Sequence, residues 1–365
     1  MNQNISERIE LLRFPLIVSI IYIHMYTSEF MVTSFDANTT LLEWFRYLIS
    51  HVMAFVSVSL FFAISGYLFF INFKSSFSFF LKKYRSRFRT LVVPYTLWNI
   101  TVIFFYLVAQ TSPLTAQYFN GEHPYVINLR GWQYLEVFWG YGEFEYPIAF
   151  QFWFIRDLIV LVVLSPLLYL FLKKIPFVFL SFWGILWIFG LFEPNILHTN
   201  FFSIFFFSFG AYLALYKHNF DLSDTYAKEM IFLYLVLIWI NLYFQFKILE
   251  NVAVLVGTIA AFSGSKYIVH FKIKDVLIKL SKYSFFLFAI HEPMLSIVRK
   301  LSYKILMPES DISIFMLYIL CPIVTIILCI YIYKVLEKWL PNILNILIGN
   351  RLSNNNKNNY AGNRS

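Results

Sequence analysis

Two histidine-bearing stretches contain most of the residues that could do chemistry in this chain. Arg13 and His24 are eleven positions apart in an apolar run, a spacing that brings both side chains to nearly the same face of a helix. The helical rise separates them by roughly 16 Å along the axis. If Arg13 marks the cytosolic membrane boundary, His24 lies deep in the hydrocarbon layer, where an ionisable residue indicates function. The alternative is a neutral histidine that hydrogen-bonds to a neighbouring helix.

The second stretch is formed by His291, Glu292 and Pro293, which interrupt a later apolar run. Counted from the cytosolic end of that run, His291 reaches nearly the same depth as His24. Two imidazoles and one carboxylate at the same level would form an acid–base centre. A kinked helix whose polar groups satisfy one another is the alternative, because a proline inside a helix leaves one carbonyl without its usual N–H partner.

A basic run near the third apolar stretch ends in Arg85, Arg87 and Arg89. Arginine forks suit the several phosphates of a nucleotide-like cofactor, because each guanidinium can donate two parallel hydrogen bonds. The alternative is that these cations set the membrane topology and contact anionic lipid headgroups.

A last candidate group begins at Trp153, which enters another apolar run from the outer side. Arg156 and Asp157 follow it and would be submerged together. Buried charges are tolerated when they pair with each other or with partners on neighbouring helices. A structural ion pair is therefore the first interpretation, and a role in binding an acceptor molecule is the second.

The composition indicates a membrane protein rather than a soluble domain. Hydrophobic residues make up 59% of the 365 residues and charged residues only 13%. The net charge of +9 needs no nucleic-acid partner, because the cytosolic loops of membrane proteins carry a surplus of Lys and Arg. Cys321 and Cys329 share one apolar run and indicate neither a disulfide framework nor a metal site. The abundance of Phe, Ile, Lys and Asn favours a bacterial cell membrane as the location.

The elements that must position these residues are apolar stretches long enough to span a bilayer. The sequence predicts an all-α, multi-pass membrane protein in which ten transmembrane helices form one bundle. Both termini are expected in the cytosol, because most of the 29 Lys and Arg residues then fall in cytosolic segments. We expect residues 1–340 to form the membrane domain and residues 341–365 to form a polar, Asn-rich cytosolic tail. The ten stretches are 11–28, 47–72, 91–110, 150–172, 175–193, 201–216, 230–247, 249–265, 283–306 and 313–334.

Taken in order, these motifs resemble those of the acyltransferase-3 family of integral-membrane O-acyltransferases. The resemblance extends from about residue 8 to residue 335. Each motif alone is only loosely defined, but their occurrence in this order is specific for the family. The family often has two arginines separated by two residues at the inner face, whereas this chain places an arginine at every second position. The matching motifs are Arg13 with His24, residues Phe61 to Leu68, the arginine-rich stretch ending in Pro94 and Tyr95, Trp153 with Phe154, and residues Ser284 to Pro293.

The resemblance implies transfer of an acyl group, commonly acetyl, to a hydroxyl of a lipid-linked or cell-surface glycan. The implied donor is cytosolic acetyl-CoA, and no metal is expected. His24 would be the essential imidazole, with the role of general base favoured over that of an acyl carrier, and Arg13 would be its companion. The donor would bind Arg85, Arg87 and Arg89, and its thioester arm would extend up the bundle toward His24. The remaining candidates would contact the acceptor or support the catalytic residues: Trp153, Asp157, His291 and Glu292.

Two other functions are compatible with buried polar residues. A transporter or flippase of a lipid-linked glycan would use them to line a pathway. The sequence lacks the paired Gly/Pro-interrupted half-helices that are typical of such proteins, and its cations crowd the inner rim, where a soluble donor would bind. A structural partner in a polysaccharide assembly complex would show no thioester turnover.

Overall fold

The computed structural model describes residues 3–25, 39–74, 76–118, 125–142, 144–191, 199–218, 220–244 and 246–352. All regular structure in these ranges is helical, with no β-strand among them, which confirms the all-α class. Two helical segments have π geometry, Leu48–Met53 and Phe88–Val92. The α-helices are α1 (Gln3–Ile23), α2 (Leu41–Tyr47), α3 (Ala54–Phe70), α4 (Phe77–Arg87), α5 (Val93–Thr111), α6 (Gln133–Trp139), α7 (Trp153–Val163), α8 (Ser165–Lys174), α9 (Pro176–Phe189), α10 (Phe201–Leu215), α11 (Asp221–Thr225), α12 (Ala227–Phe244), α13 (Lys247–Ile268), α14 (Ile273–Ser281), α15 (Ser284–Leu306), α16 (Asp311–Trp339) and α17 (Pro341–Leu347).

Each of the ten predicted apolar stretches overlaps a helix. Within the described ranges, five helical segments are long and apolar enough to cross a membrane. The helical segments Phe150–Val163 and Ser165–Lys174 meet at an angle of 64° and form a sixth candidate if they are counted together as one span. Helices α9 and α10 are apolar but shorter. These helices support a multi-pass membrane protein, whereas the count of ten spans and the cytosolic termini stay predictions. The five segments are Leu41–Phe70, Phe77–Thr111, α12, α13 and α16.

Proline positions explain several helix starts. Pro94, Pro176 and Pro341 lie in the first turns of α5, α9 and α17, where the missing N–H has no intrahelical partner to lose. Residues 341–347, the beginning of the predicted tail, therefore form a short helix, and residues 353–365 lie outside the described part of the chain. The division of the chain at residue 340 stays a prediction.

The chain folds into two compact units. The first comprises Met1–Lys74, Leu168–Glu193 and Phe201–Val335, and the second comprises Ser75–Leu167, Pro194–Asn200 and Leu336–Ser365. Both histidine motifs belong to the first unit, whereas the arginine cluster and Trp153 with Asp157 belong to the second.

In the first unit, α3 and α10 pack with their backbones in direct contact. A Cβ atom added at Gly66 would overlap the carbonyl oxygen of Phe207, and one added at Gly210 would overlap the carbonyl oxygen of Ala63. Only glycine fits at either position, because the obstacle is backbone rather than a mobile side chain. Gly66 thus permits the close helix packing that small residues provide in membrane bundles.

We expect Gly66→Ala to lower the free energy of unfolding by about 3 kcal/mol, because the new methyl group must push two helices apart. The matched control is Gly264→Ala, whose methyl group would meet only the flexible end of Ile231, 3.3 Å away. Thermal unfolding of the purified protein in detergent measures both variants. Equal stability of the two variants would contradict the packing argument.

A buried arginine fixes α1 within the first unit. Arg8 is 1% exposed, and its guanidinium donates to both carboxylate oxygens of Asp224, at 2.7 and 2.9 Å. It also donates to the Ser265 hydroxyl at 2.8 Å and to the Phe262 carbonyl at 2.6 Å. A buried charge is stable only when its hydrogen bonds are satisfied in this way. Arg8 therefore joins α1 to α11 and α13 and holds the helix that leads to His24.

In the second unit, three side chains of α5 hold other segments. The Tyr95 hydroxyl donates to the carbonyl of Phe138 at 2.7 Å, and the Asn99 amide oxygen accepts the N–H of Ala149 at 3.2 Å. The Trp98 indole donates to the last carbonyl of α17 at 3.1 Å. The first two bonds fasten the long segment between α5 and α7 to a membrane-type helix, and the third fastens α17 to the same helix.

Candidate active site at two adjacent histidines

His24 lies immediately after the end of α1. The sequence predicts one helix over residues 11–28, but α1 begins at Gln3 and ends at Ile23, and His24 and Met25 form a turn. Residues 26–28 are outside the described ranges. The N–H of Met25 donates to the carbonyl of Tyr22 at 3.2 Å, which tightens the last turn in the way that helix ends commonly do. His24 is thus presented by a helix terminus rather than by the middle of a helix.

A hydrogen-bond network fixes this turn. The Ser50 hydroxyl donates to the same Tyr22 carbonyl at 2.5 Å and lies 2.7 Å from the hydroxyl of Tyr318. Ser50 belongs to the π-helical segment Leu48–Met53, a geometry that often marks functional sites. Met25 is fully buried in an apolar cluster with Leu295 of α15 and with residues of α16. The turn is therefore anchored by three different parts of the chain.

The structure brings the two histidine motifs together. The ring centroids of His24 and His291 are 5.0 Å apart, and the ring planes are inclined at 40°. His24 is partly exposed, whereas His291 is completely buried. Helix α15 continues through Pro293, so His291 and Glu292 remain on a regular helix.

The hydrogen bonds of His291 determine which of its nitrogens carries the proton. Its Nδ1 lies 3.0 Å from the carbonyl oxygen of Leu287 and 2.8 Å from that of Phe288. A carbonyl oxygen only accepts hydrogen bonds, so Nδ1 must be the protonated nitrogen. Nε2 of the neutral ring then bears the lone pair, and it is buried without a hydrogen-bond partner among the described residues.

Two further polar residues of α15 extend the site. The Ser296 hydroxyl donates to the Glu292 carboxylate at 2.8 Å. The positive charge of Arg299 lies within electrostatic range of both the His24 ring and the Glu292 carboxyl. Positions 292, 296 and 299 follow helical spacing, so these side chains share one face of α15. The candidate residues from the sequence do not include Ser296 or Arg299. Their helical spacing from Glu292 is the feature of the sequence that indicates them.

Arg13 is on the same helix as the approach to His24 but is not in contact with it. Its side chain is exposed, whereas the neighbouring Leu12 and Leu16 are buried. The helical rise separates Arg13 from His24 by roughly 16 Å. Any role as the companion of His24 must therefore be exerted through a substrate or through its charge at a distance.

The arginine cluster occupies the end of α4 and the π-helical segment that follows it. Arg85 and Arg89 are exposed, and Arg87 is partly buried. Arg85 and Arg89 are four residues apart, and so are Lys83 and Arg87, so the cations form two pairs on different faces. The Tyr84 hydroxyl holds α4 to the end of α7 through the carbonyl of Val163, at 3.0 Å.

Arg156 and Asp157 form a buried ion pair in the second unit. Two guanidinium nitrogens of Arg156 lie 3.4 Å from an Asp157 oxygen, and both side chains are at most 3% exposed. The third nitrogen of Arg156 donates to the carbonyls of Trp139, Gly140 and Glu145, each at 3.3 Å. These contacts connect the segment after α6 to α7 and favour the structural interpretation of the pair.

Asp157 and Trp153 have different surroundings at the start of α7. The second carboxylate oxygen of Asp157 accepts the backbone N–H of Asn200 at 3.3 Å. Trp153, which begins α7, is partly buried and packs edge-to-face on Phe154. The expected contact of Trp153 and Asp157 with an acceptor stays a prediction.

Comparison with known proteins identifies the family of this chain. The sequence model of the acyltransferase domain family matches residues 6–334. The chain is also similar to the succinoglycan biosynthesis protein ExoH of Rhizobium meliloti (strain 1021), with 26% identity over 363 residues that cover 96% of this chain and 94% of the relative. No solved structure gives a significant match. The match extends over both histidine motifs and the arginine cluster, so the chain belongs to the acyltransferase-3 family and is a membrane acyltransferase.

Proposed function

We propose that this acyltransferase transfers an acyl group, with acetyl as the commonest case, from cytosolic acyl-CoA to a hydroxyl of a lipid-linked or cell-surface glycan. The single observation that carries the proposal is the contact between the His24 and His291 rings, with the charge of Arg299 within electrostatic range of His24. A carbohydrate acceptor is supported by the relative's name, which refers to the biosynthesis of succinoglycan. The proposal places the ten helices in a bacterial cell membrane with both termini in the cytosol, where acyl-CoA is available.

His24 acts in this proposal as the general base. Its imidazole removes the proton from the acceptor hydroxyl while the hydroxyl oxygen attacks the thioester carbonyl carbon. The C–S bond then breaks, the proton passes to the departing thiolate, and the products are the acyl ester and the CoA thiol. The positive charge of Arg299 lies within electrostatic range of His24 and would stabilise the oxyanion of the tetrahedral intermediate.

A covalent route through an acyl-histidine is the alternative chemistry at the same residue. Direct transfer predicts that protein incubated with labelled acyl-CoA and no acceptor stays unlabelled after removal of the donor. Label retained on His24 would show that the acyl group is first carried by the enzyme.

The overall reaction is tested with purified protein in detergent or proteoliposomes, labelled acetyl-CoA and a glycan extract. We expect label in the glycan and release of one CoA thiol for each ester formed. A transporter or a structural partner in an assembly complex would produce neither, because neither function consumes the thioester. Substitution of other acyl-CoA donors identifies the acyl group that the enzyme prefers.

The donor is proposed to bind through its phosphates to Arg85, Arg87 and Arg89. We expect Arg85→Ala combined with Arg87→Ala to weaken binding of acyl-CoA about 100-fold, because each lost charge-assisted hydrogen bond costs about 1.5 kcal/mol. Acceptor binding should change little. The matched control replaces two exposed cations by alanine, Lys272 immediately before α14 and Lys279 within it. Unchanged affinity of the arginine variant for acyl-CoA would show that the cluster does not bind the donor and only sets the membrane topology.

A further inference from the structure

The unpaired nitrogen of His291 requires an explanation. A buried polar atom without a hydrogen bond costs about 1–3 kcal/mol, and such atoms are retained where a function needs them. Nε2 of His291 is an acceptor only, because the proton of the neutral ring is held at Nδ1 by the carbonyls of Leu287 and Phe288. Nε2 of His291 can therefore accept a hydrogen bond from a neighbouring donor.

The neighbouring His24 ring can supply that donor. A centroid separation of 5.0 Å leaves space for one N–H···N hydrogen bond between the facing edges of two imidazoles. A neutral His24 has one N–H and one lone pair. To act as a base it must direct the lone pair at the acceptor hydroxyl, so its N–H has to be bound elsewhere.

We propose that His291 is a positioning residue, whose Nε2 accepts the N–H of His24 and thereby fixes the nitrogen of His24 that takes the acceptor proton. The inference rests on the proposed function of His24 as the base. The hydrogen-bond chain runs from the backbone carbonyls of α15 through the His291 ring to the His24 ring. It has the organisation of other activated bases, in which a third group orients the histidine.

The proton balance of this arrangement is simple. His24 gains the proton of the acceptor hydroxyl at one nitrogen and keeps its original N–H, bonded to His291, at the other. His291 neither gains nor loses a proton, because its Nδ1–H remains on the backbone carbonyls. When the C–S bond breaks, the gained proton leaves His24 for the thiolate and the original state returns.

Two variants of nearly equal size test the proposal. His291→Gln keeps an amide oxygen that can accept the N–H of His24, whereas His291→Met has a similar shape but no comparable acceptor. We expect the glutamine variant to keep kcat within about tenfold of the wild type. The methionine variant should lose about 100-fold or more in kcat, while KM for acyl-CoA and for the acceptor stays nearly constant. Thermal unfolding in detergent confirms that both variants fold.

Two outcomes overturn the proposal. Wild-type kcat in His291→Met would show that no acceptor is needed at this position. Equal loss in the glutamine and methionine variants would show that His291 either takes the proton itself or acts in another way. A readout independent of activity is ¹⁵N NMR of histidine-labelled protein, in which His291 should be the Nδ1–H tautomer. The Nε2–H tautomer would refute the hydrogen-bond chain, even if the wild-type protein transfers acyl groups. Absence of acyl transfer by the wild-type protein would refute only the proposed function.

Discussion

Replacement of His24 by alanine is expected to abolish acyl transfer while the protein still inserts into the membrane at its normal level. In the proposed mechanism the imidazole takes the acceptor proton, and loss of a positioned general base costs about 10²–10⁴ in rate. Loss of stability should be small, because the His24 side chain is partly exposed and the turn is held by Ser50 and by the burial of Met25. Transfer of labelled acetyl groups to glycan, normalised to the amount of protein in the membrane, measures the effect.

The matched control for this variant is His270→Ala. His270 is an exposed histidine in the turn after α13, in the same unit as His24. It should keep wild-type activity and stability. Full activity of His24→Ala would refute the assignment of the base, and equal loss in both variants would point to a general effect of histidine removal on the fold.

Replacement of Asp157 by alanine is expected to destabilise the protein by about 3–5 kcal/mol, because it removes the carboxylate that forms a buried ion pair with the Arg156 guanidinium. The backbone N–H of Asn200 also loses its acceptor. The midpoint of thermal unfolding in detergent measures the loss. Glu309→Ala removes an exposed carboxylate and should change stability by no more than about 0.5 kcal/mol.

The same variant separates the two interpretations of the ion pair. If Asp157 is structural, the fraction of Asp157→Ala protein that folds should bind the acceptor with nearly normal KM. If Asp157 contacts the acceptor, KM should rise while the unfolding midpoint stays close to that of the wild type. The second pattern would contradict the structural role that the contacts of Arg156 favour.

Local residue patterns were sufficient to predict most helices. Helices form wherever long apolar runs occur, because the backbone of a membrane-spanning segment must satisfy its own hydrogen bonds. The sequence predicts an apolar span over residues 283–306, and α15 extends over Ser284–Leu306. The end of α1 differs from the prediction, and the Tyr22 carbonyl there accepts a hydrogen bond from Ser50, 28 residues away, which local patterns do not show.

The sequence by itself determined that this protein is all-helical, that it belongs in a membrane and that His24 and His291 are exceptional, because single polar residues in apolar runs are conspicuous. Only the tertiary structure decided that the His24 and His291 rings touch and that the charge of Arg299 lies within electrostatic range of His24. Those facts depend on the turn after α1 and on α15, which are more than 260 residues apart in the chain. The physical reason is that helical periodicity fixes the face on which a residue lies, whereas the packing of distant helices selects the partner that this face meets.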